Sequence, residues 1–240
     1  MHTRLRSNGG TRRGGESPAR ATGRGTALLR RGSIAGAGRA VSWGLDGALA
    51  AAVGIPHRRG GVMNWRHELL GQLDFYWEHH LWPRLDGLTD DEYFWEPVEG
   101  CWSVREQDDG TFVIDWAWPV PEPPPITTIA WRLAHIAVQV FGIRASAHFG
   151  DGSLTLASAR WPGDAATALA MLETNYRAWR EGVLGLDEAA LASPVGEAEG
   201  PWADHPYITL VLHITRETVH HGAEVALLRD LYRAGPALPS

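Results

Sequence analysis

Titratable side chains recur at helical spacing in HITRETVHHGAEVALLRD, a stretch near the end of the printed sequence. His213, Glu217 and His221 are four residues apart, so on a helix they would form one row along a single face. His220 and Glu224 would form a second row, rotated by about 100° from the first. Imidazole and carboxylate groups are common ligands of divalent metal ions. The stretch therefore predicts a helix that carries candidate metal ligands in its first row.

The apolar residues of the same stretch suggest that the first row is turned partly towards a protein core. A buried carboxylate such as Glu217 needs a partner, because leaving its charge unpaired is costly. One partner would be a divalent ion shared with His221 and completed by His135, which lies in RLAHI upstream. The alternatives are a salt bridge from Glu217 to Arg132 or to Arg216 of a partner chain, with the histidines as hydrogen-bonded core residues.

Four long helices are predicted to position these groups, because apolar residues recur at helical spacing in four segments. We expect the first over residues 64–85, with Pro83 near its end, and a second capped by Thr127 or Thr128. A third should begin near Asp164, and the fourth should run from about Pro206 to Arg233, after a loop at 192–206. The expected apolar faces of the first three helices are Trp65, Leu69, Leu73, Trp77 and Leu81; Ile129, Leu133, Ile136, Val140 and Ile143; and Leu169, Leu172, Tyr176, Trp179 and Val183.

A long irregular connection separates the first two of these helices. Thr89 and Glu92 have the spacing of a capping box for a short helical turn. Asp109–Gly110 favours a tight hairpin, and the proline run at 119–125 should be extended. The predicted fold class is therefore all-α, a four-helix bundle with a long irregular loop between its first and second long helices.

Three stretches resemble the DinB-like superfamily of four-helix metalloenzymes, which includes the metal-binding domain of mycothiol-dependent maleylpyruvate isomerase. They are WEPVEGCWSV, RLAHI and the pattern E-x-x-x-HHGAEVALLRDLY, and the resemblance covers most of residues 63–233. It implies that His135, Glu217 and His221 hold a divalent ion, with zinc expected and nickel or iron as alternatives. His213, His220 and Glu224 are not implied as direct ligands. His213 could orient Glu217 or could simply be a hydrogen-bonded neighbour, and His220 and Glu224 could either support the ligands or face solvent.

The resemblance favours an enzyme that transfers a low-molecular-weight thiol such as mycothiol to a small-molecule substrate. Three protein ligands leave a coordination position open, which is the arrangement of catalytic metal sites. A metal-dependent hydrolase with Glu224 or His220 as base, and a non-catalytic metal-binding dimeric bundle, are the alternatives. The loop at 106–125 is longer than the family pattern, and its Trp116 and Trp118 are expected to shape the mouth of the site. We expect no counterpart of the isomerase's second domain, so isomerase activity is not carried over.

Charge and composition restrict the partners of the predicted bundle. Residues 1–62 contain eleven arginines and two acidic residues, which leaves eleven arginines against 26 acidic residues for 63–240, a formal charge of −15. Nucleic acid is therefore not an expected partner, because phosphate neutralisation dominates that affinity. No apolar run is long enough to span a membrane, and the single cysteine, Cys101, forms no intrachain disulfide. We expect a cytoplasmic protein, with a homodimer as a possible assembly.

The first 62 residues have a different composition from the rest of the chain. They are rich in Gly, Arg and Ala and poor in large apolar residues, a composition that favours disorder. The amphipathic pattern begins directly after Met63, so translation from Met63 is the favoured hypothesis and a genuine basic arm is the alternative. Tryptic peptides from residues 14–57 in the native protein would contradict a start at Met63. The predicted domains are thus residues 1–62 and the metal-binding bundle of residues 63–240.

Overall fold

The computed structural model describes residues 63–235. The predictions of a disordered segment over 1–62 and of a translation start at Met63 lie outside the described residues, as does the end of the predicted domain at 236–240. Residues 63–235 are 61% helical and contain one small two-stranded sheet. This content confirms the predicted all-α class.

The first long helix spans residues 65–85 in three consecutive segments. Asn64 caps it by accepting a hydrogen bond of 3.1 Å from the His67 amide. The helix is regular over Trp65–Tyr76, passes through a π-helical segment at Trp77–Leu81 and ends with Trp82–Leu85. Leu73, Trp77 and Leu81 are buried as predicted, but Trp65 is 50% exposed and Leu70 is buried. The prediction that Trp65 begins the core-facing stripe was wrong, because the core contacts begin one turn later.

The connection to the second long helix contains the predicted capped turn and hairpin. Thr89 accepts a hydrogen bond of 3.3 Å from the Glu92 amide at the start of a short helix, Asp90–Tyr93. Strands Val104–Glu106 and Phe112–Ile114 pair antiparallel, with Val104 opposite Ile114. Gly110 lies in the turn between them with φ +76°, a conformation that favours glycine.

The second long helix spans residues 129–149 and also contains a π-helical segment. Of the two threonines considered as its cap, Thr128 accepts the hydrogen bond, at 3.2 Å from the Trp131 amide. The helix runs through Ile129–Ala134, a π-helical segment at His135–Gly142, and Ile143–Phe149. The π-helical geometry is visible where the Ile143 amide donates to the Val138 carbonyl, five residues back. Such segments are rare in proteins, and those that occur are often found at functional sites.

The third and fourth long helices are Ala165–Leu184 and Tyr207–Ala234. Asp164 caps the third by accepting from the Thr167 amide at 2.7 Å. Between them lie two short elements that the sequence did not predict, the helix Glu188–Ala192 and the 3₁₀-helix Glu197–Trp202. Pro206 is the capping residue of the fourth helix, which begins one residue after the predicted start.

The four long helices enclose one apolar core. The second packs against both the third and the fourth, and the first also packs against both. A buried ion pair links the fourth helix to the short helix Asp90–Tyr93, because the Arg229 guanidinium donates to both Glu92 carboxylate oxygens at 2.7 and 2.9 Å. Within residues 63–235, none of the helices has the length and apolar character needed to cross a membrane. Among the largest fully buried side chains are Leu73, Leu81, Leu85, Ile129, Leu133, Ile136, Phe141, Leu172, Trp179 and Ile214.

Candidate metal centre

The second and fourth long helices bring the three predicted ligands together. His135 is the first residue of the π-helical segment, whereas Glu217 and His221 lie one turn apart on the fourth helix. One ligand atom from each of these side chains lies within 4.8 Å of the other two. All three side chains are partly buried and keep some exposure to solvent.

The two ring nitrogens of His221 contact different carboxylates. Its Nδ1 lies 2.8 Å from Oε2 of Glu224, and its Nε2 lies 3.5 Å from Oε2 of Glu217. The Arg132 guanidinium, which only donates, also lies 3.3 Å from Nδ1, but the contact with Glu224 is shorter. An ionised carboxylate only accepts hydrogen bonds, so we assign the hydrogen on Nδ1 as donated to Glu224. The lone pair of Nε2 then faces Glu217. This carboxylate–histidine arrangement typically fixes the tautomer and orientation of a metal-binding imidazole.

His135 is held in a similar way by a different partner. Its Nδ1 donates a hydrogen bond to the side-chain oxygen of Gln139, one turn along the same helix. Trp131, one turn before it, stacks on the ring with centroids 5.2 Å apart and 14° between the planes. The rings of His135 and His221 meet edge to face at 4.8 Å. Both imidazoles therefore have one nitrogen occupied by an acceptor and the other free for a ligand role.

Glu217 is paired within its own chain, and the pairing with Arg132 that was considered from the sequence does not occur. Its Oε1 lies 3.3 Å from the Arg216 guanidinium of the same chain, while Arg132 forms an ion pair with Glu224. The Nδ1 atom of His213 is 3.5 Å from the same Oε1 but accepts a shorter hydrogen bond of 2.6 Å from Arg216. His213 thus contacts Arg216 more closely than it contacts Glu217.

A second group of metal-binding residue types shares His221. It consists of His220, His221 and Glu224, with the Nε2 atom of His220 at 3.5 Å from Glu224 and its side chain 63% exposed. In this group Arg132 already neutralises Glu224. His221 also has only one free nitrogen, which faces Glu217. The electrostatics therefore favour the group of His135, Glu217 and His221 as the candidate ligand set.

Burial keeps both imidazoles of this set neutral near physiological pH. It lowers the pKa of His221 to about 4, and repulsion from His135 when that ring is protonated, from Arg132 and from His220 acts in the same direction. Burial also lowers the pKa of His135, although the hydrogen bond to Gln139 and the charge of Glu217 oppose that shift. Neutral imidazole is the form that binds metal ions.

The donor set fits a divalent cation of the zinc type in chemistry and in spacing. Zinc is bound by imidazole nitrogen and carboxylate oxygen at about 2.0–2.2 Å, which places tetrahedral ligand atoms about 3.3 Å apart. The Glu217–His221 separation of 3.5 Å is close to that value. The largest separation, within 4.8 Å, is one that side-chain rotation can shorten.

Arg132, Gln139 and Trp131 support the site, and their roles were not predicted from the sequence. Gln139 and Trp131 are each four residues from His135, so helical spacing could have indicated them. Trp131 also links the site to the long connection, because its indole N–H donates to the Asp115 carbonyl at 2.9 Å. Trp116 and Trp118, expected at the site mouth, are 57% and 82% exposed.

One comparison with known proteins matches part of this chain. A family model described as the DinB superfamily matches residues 113–225, a segment that contains all three candidate ligands. No curated protein and no solved structure matches the chain. The matched segment, the helical fold and the His/Glu group together support one assignment. Residues 113–225 of the chain belong to the DinB superfamily.

Proposed function

We propose that the protein is a divalent-metal-dependent enzyme that transfers a low-molecular-weight thiol, such as mycothiol, to an electrophilic small molecule. The observation that carries this proposal is the convergence of His135, Glu217 and His221 in a segment of the DinB superfamily. Zinc is the expected metal, with nickel or iron as alternatives. A cytoplasmic location and a homodimer stay predictions.

A cation held there would act as a Lewis acid with room for a further ligand, favouring the thiolate form of a bound thiol. In the transfer, the thiol loses its proton to solvent and its sulfur bonds to an electrophilic carbon, while the carbon's bond to the leaving group breaks. Glu224 and Gln139 hold the two imidazoles in the required orientation. Trp131 covers one face of His135 and shields it from water.

The hydrolase alternative has less support from the contacts around its suggested bases. Glu224 is engaged by both Arg132 and His221, and His220 is largely exposed to solvent. A non-catalytic bundle with a bound metal is the remaining alternative. It differs from the proposed enzyme in predicting metal binding without turnover.

Elemental analysis of untagged protein tests the metal site first. We expect near-stoichiometric metal in the wild type and its loss in Glu217→Ala, because removing the carboxylate removes a ligand. Glu181→Ala is a matched control, since Glu181 is exposed on the third long helix. A wild-type protein that binds no metal under any loading condition would remove the main support for the proposal.

Turnover with a thiol tests the reaction. Metal-loaded protein is incubated with mycothiol and chlorobimane, whose fluorescence reports formation of the carbon–sulfur bond and departure of chloride. We expect a rate in the wild type that is lost in His221→Ala and kept in His67→Ala, a substitution of an exposed histidine. Equal rates in the wild type and His221→Ala would contradict a metal-dependent transferase.

A further inference from the structure

A cavity of about 510 Å³ lies beside the candidate metal centre, next to the 3₁₀-helix and the first turns of the fourth long helix. Its volume is in the range of sites that bind small organic molecules. His213 and Arg216 line it, and both contact Glu217. A molecule in this cavity would therefore lie next to one of the three candidate ligands.

One wall of the cavity is apolar. Trp202 and Leu212 line it and are 63% and 53% exposed, which is high for apolar side chains of their size. Val195 and Leu210, which are buried, complete this wall. An aromatic or aliphatic body would bury apolar surface here, and such burial is favourable in proportion to its area.

The charged groups of the lining are unequally engaged. Glu199 forms an ion pair with Arg144, whose Nε lies 3.3 Å away, and Nε2 of His148 lies 3.0 Å from the same carboxylate. Arg144 also donates to the Gln139 carbonyl at 2.8 Å. Arg216 differs, because its side chain is 70% exposed and its short hydrogen bond, of 2.6 Å, goes to His213 and not to a carboxylate. Its carboxylate contact, with Glu217, is longer than an ordinary hydrogen bond at 3.3 Å.

We infer that this cavity binds a small organic carboxylate with an apolar body, and that Arg216 receives the carboxylate. The inference deepens the proposed function, on which it rests, by assigning the substrate class of the same site. An arginine fork matches a carboxylate in shape and charge. The apolar body lies against Trp202 and Leu212, and the anionic end is directed to the side of the cavity that adjoins Glu217.

Arg216 couples the cavity to the metal centre. With Glu217 carrying an uncompensated charge, Arg216 is attracted to it and is less available to another anion. A divalent ion on Glu217 would offset that charge and leave the guanidinium available to another anion. The carboxylate therefore binds more tightly to metal-loaded protein, and by linkage the metal binds more tightly in its presence.

Calorimetric titration of the full chain with 1-naphthylacetate and the neutral 1-naphthylacetamide tests the role of Arg216. We expect Arg216→Gln to weaken 1-naphthylacetate binding by about tenfold or more, because a charge-assisted hydrogen bond is lost. Binding of the amide stays unchanged. Arg177→Gln is the matched control, since the Arg177 side chain is similarly exposed at 68% and lies on the third long helix. Equal losses for the carboxylate and the amide would overturn the assignment of Arg216.

The position of the ligand is tested by filling the cavity. Leu212→Trp should weaken the binding of both naphthyl compounds, because it occupies the apolar wall. Leu227→Trp leaves both affinities unchanged, since Leu227 is 59% exposed on the same helix but does not line the cavity. Absence of saturable 1-naphthylacetate binding to the wild type would overturn the inference, as would an unaltered affinity in Leu212→Trp.

Repeating the titration on metal-loaded wild type and on Glu217→Gln separates this inference from the proposed function. Metal binding without any affinity for 1-naphthylacetate overturns the cavity assignment and leaves the proposed metal site intact. Carboxylate binding that depends on Arg216 in a protein that holds no metal supports the cavity assignment and removes the proposed function. Tighter binding to the metal-loaded wild type, absent in Glu217→Gln, supports both.

Discussion

At the scale of single residues, the two nitrogens of His221 decide which group of side chains can hold a cation. One nitrogen is engaged by Glu224, and the other faces Glu217. Because Arg132 pairs with Glu224, that carboxylate stays a hydrogen-bond acceptor for the imidazole while Glu217 supplies the free oxygen. Glu217 and Glu224 lie one turn of helix to either side of His221. The position of Arg132 decides that Glu217 is the candidate ligand and that Glu224 is the hydrogen-bond acceptor.

Glu224→Gln should weaken metal binding without removing a ligand. The amide is a poorer acceptor than the carboxylate, so Nδ1 of His221 is less firmly oriented and its ring is less basic. Loss of such a supporting carboxylate typically lowers metal affinity by about 10–100-fold. Competition with a chromogenic chelator measures the affinity, and circular dichroism verifies that the helical content is kept.

His220→Ala is the control for this substitution, because His220 is the other histidine within reach of Glu224. It should leave metal affinity within a factor of about two to three of the wild type, as expected for an exposed side chain. If His220→Ala lowered the affinity as much as Glu224→Gln, the metal would belong to the group of His220, His221 and Glu224, and the assignment of His135 and Glu217 would be wrong.

The candidate ligand set could be named from the sequence, but the contacts around it could not. Spacing placed Glu217 and His221 on one face, and the resemblance supplied His135 from another helix. The pairing of Arg132 with Glu224 and not with Glu217 depends on side-chain conformation in a packed interface, which spacing does not encode. The same limit explains why the in-chain contact between Arg216 and Glu217 was not expected.

At the scale of elements, apolar spacing and caps predicted the four helices but not their internal irregularities. Asp164 and Thr128 cap helices as their residue types indicate. The π-helical segments escaped prediction because one extra residue per turn alters hydrogen bonding more than it alters the apolar stripe. The 3₁₀-helix at Glu197–Trp202 escaped because Gly and Pro in its sequence indicate a loop.

The π-helical segment that begins at His135 is supported from the third long helix. The Asn175 side chain donates to the Ala137 carbonyl at 2.9 Å. Gly142 permits this approach, since an added Cβ there would lie 2.7 Å from the Asn175 amide nitrogen. The segment therefore depends on a polar contact between helices as well as on apolar packing.

Asn175→Ala should destabilise the protein and weaken metal binding together. Removing the donor costs about 1–3 kcal/mol in the free energy of unfolding, and a looser segment positions His135 less well. Urea denaturation and chelator competition measure the two effects. Thr167 lies on the third long helix, as Asn175 does, but makes no hydrogen bond to the π-helical segment. Thr167→Ala should therefore change stability without changing metal affinity. Unchanged metal affinity in Asn175→Ala would show that the segment does not position His135.

Glu199 ties the 3₁₀-helix to the second long helix, and its contribution to stability should depend on pH. Burial acts to raise the pKa of Glu199, but the hydrogen bond from His148 and the charge of Arg144 outweigh it, so the pKa lies below the usual 4.5. A carboxyl group with a lowered pKa stabilises the fold above its unfolded pKa, and that stabilisation is lost as the pH falls through the folded pKa.

Glu199→Gln should therefore be most destabilising near neutral pH, by about 1–3 kcal/mol. The difference from the wild type should shrink as the pH falls below about 4.5. Urea denaturation in buffers from pH 7 to 3.5 measures it. Glu173→Gln, in the exposed pair with Arg177, is the control and should show a small effect throughout. A difference that does not vary with pH would contradict the lowered pKa.

At the scale of the whole molecule, the charge around the cavity contrasts with that of the chain that encloses it. Residues 63–240 carry a formal charge of −15, yet Arg144 and Arg216 line the cavity beside the candidate metal centre. A strongly acidic surface repels anions at a distance, so a carboxylate ligand must gain its affinity from close contacts. The association rate of such a ligand should consequently rise with ionic strength.

Metal binding should also stabilise the whole bundle, because its proposed ligands come from two helices that are separated in the unfolded chain. An ion that binds only the folded state at 100 times its Kd adds about 2.7 kcal/mol. For a protein of this size, that corresponds to an increase in Tm of roughly 5–10 °C. Differential scanning fluorimetry with zinc, followed by chelation, measures the shift. Glu217→Ala should show no shift and Glu181→Ala the full one, whereas equal shifts in both would place the ion elsewhere on the acidic surface.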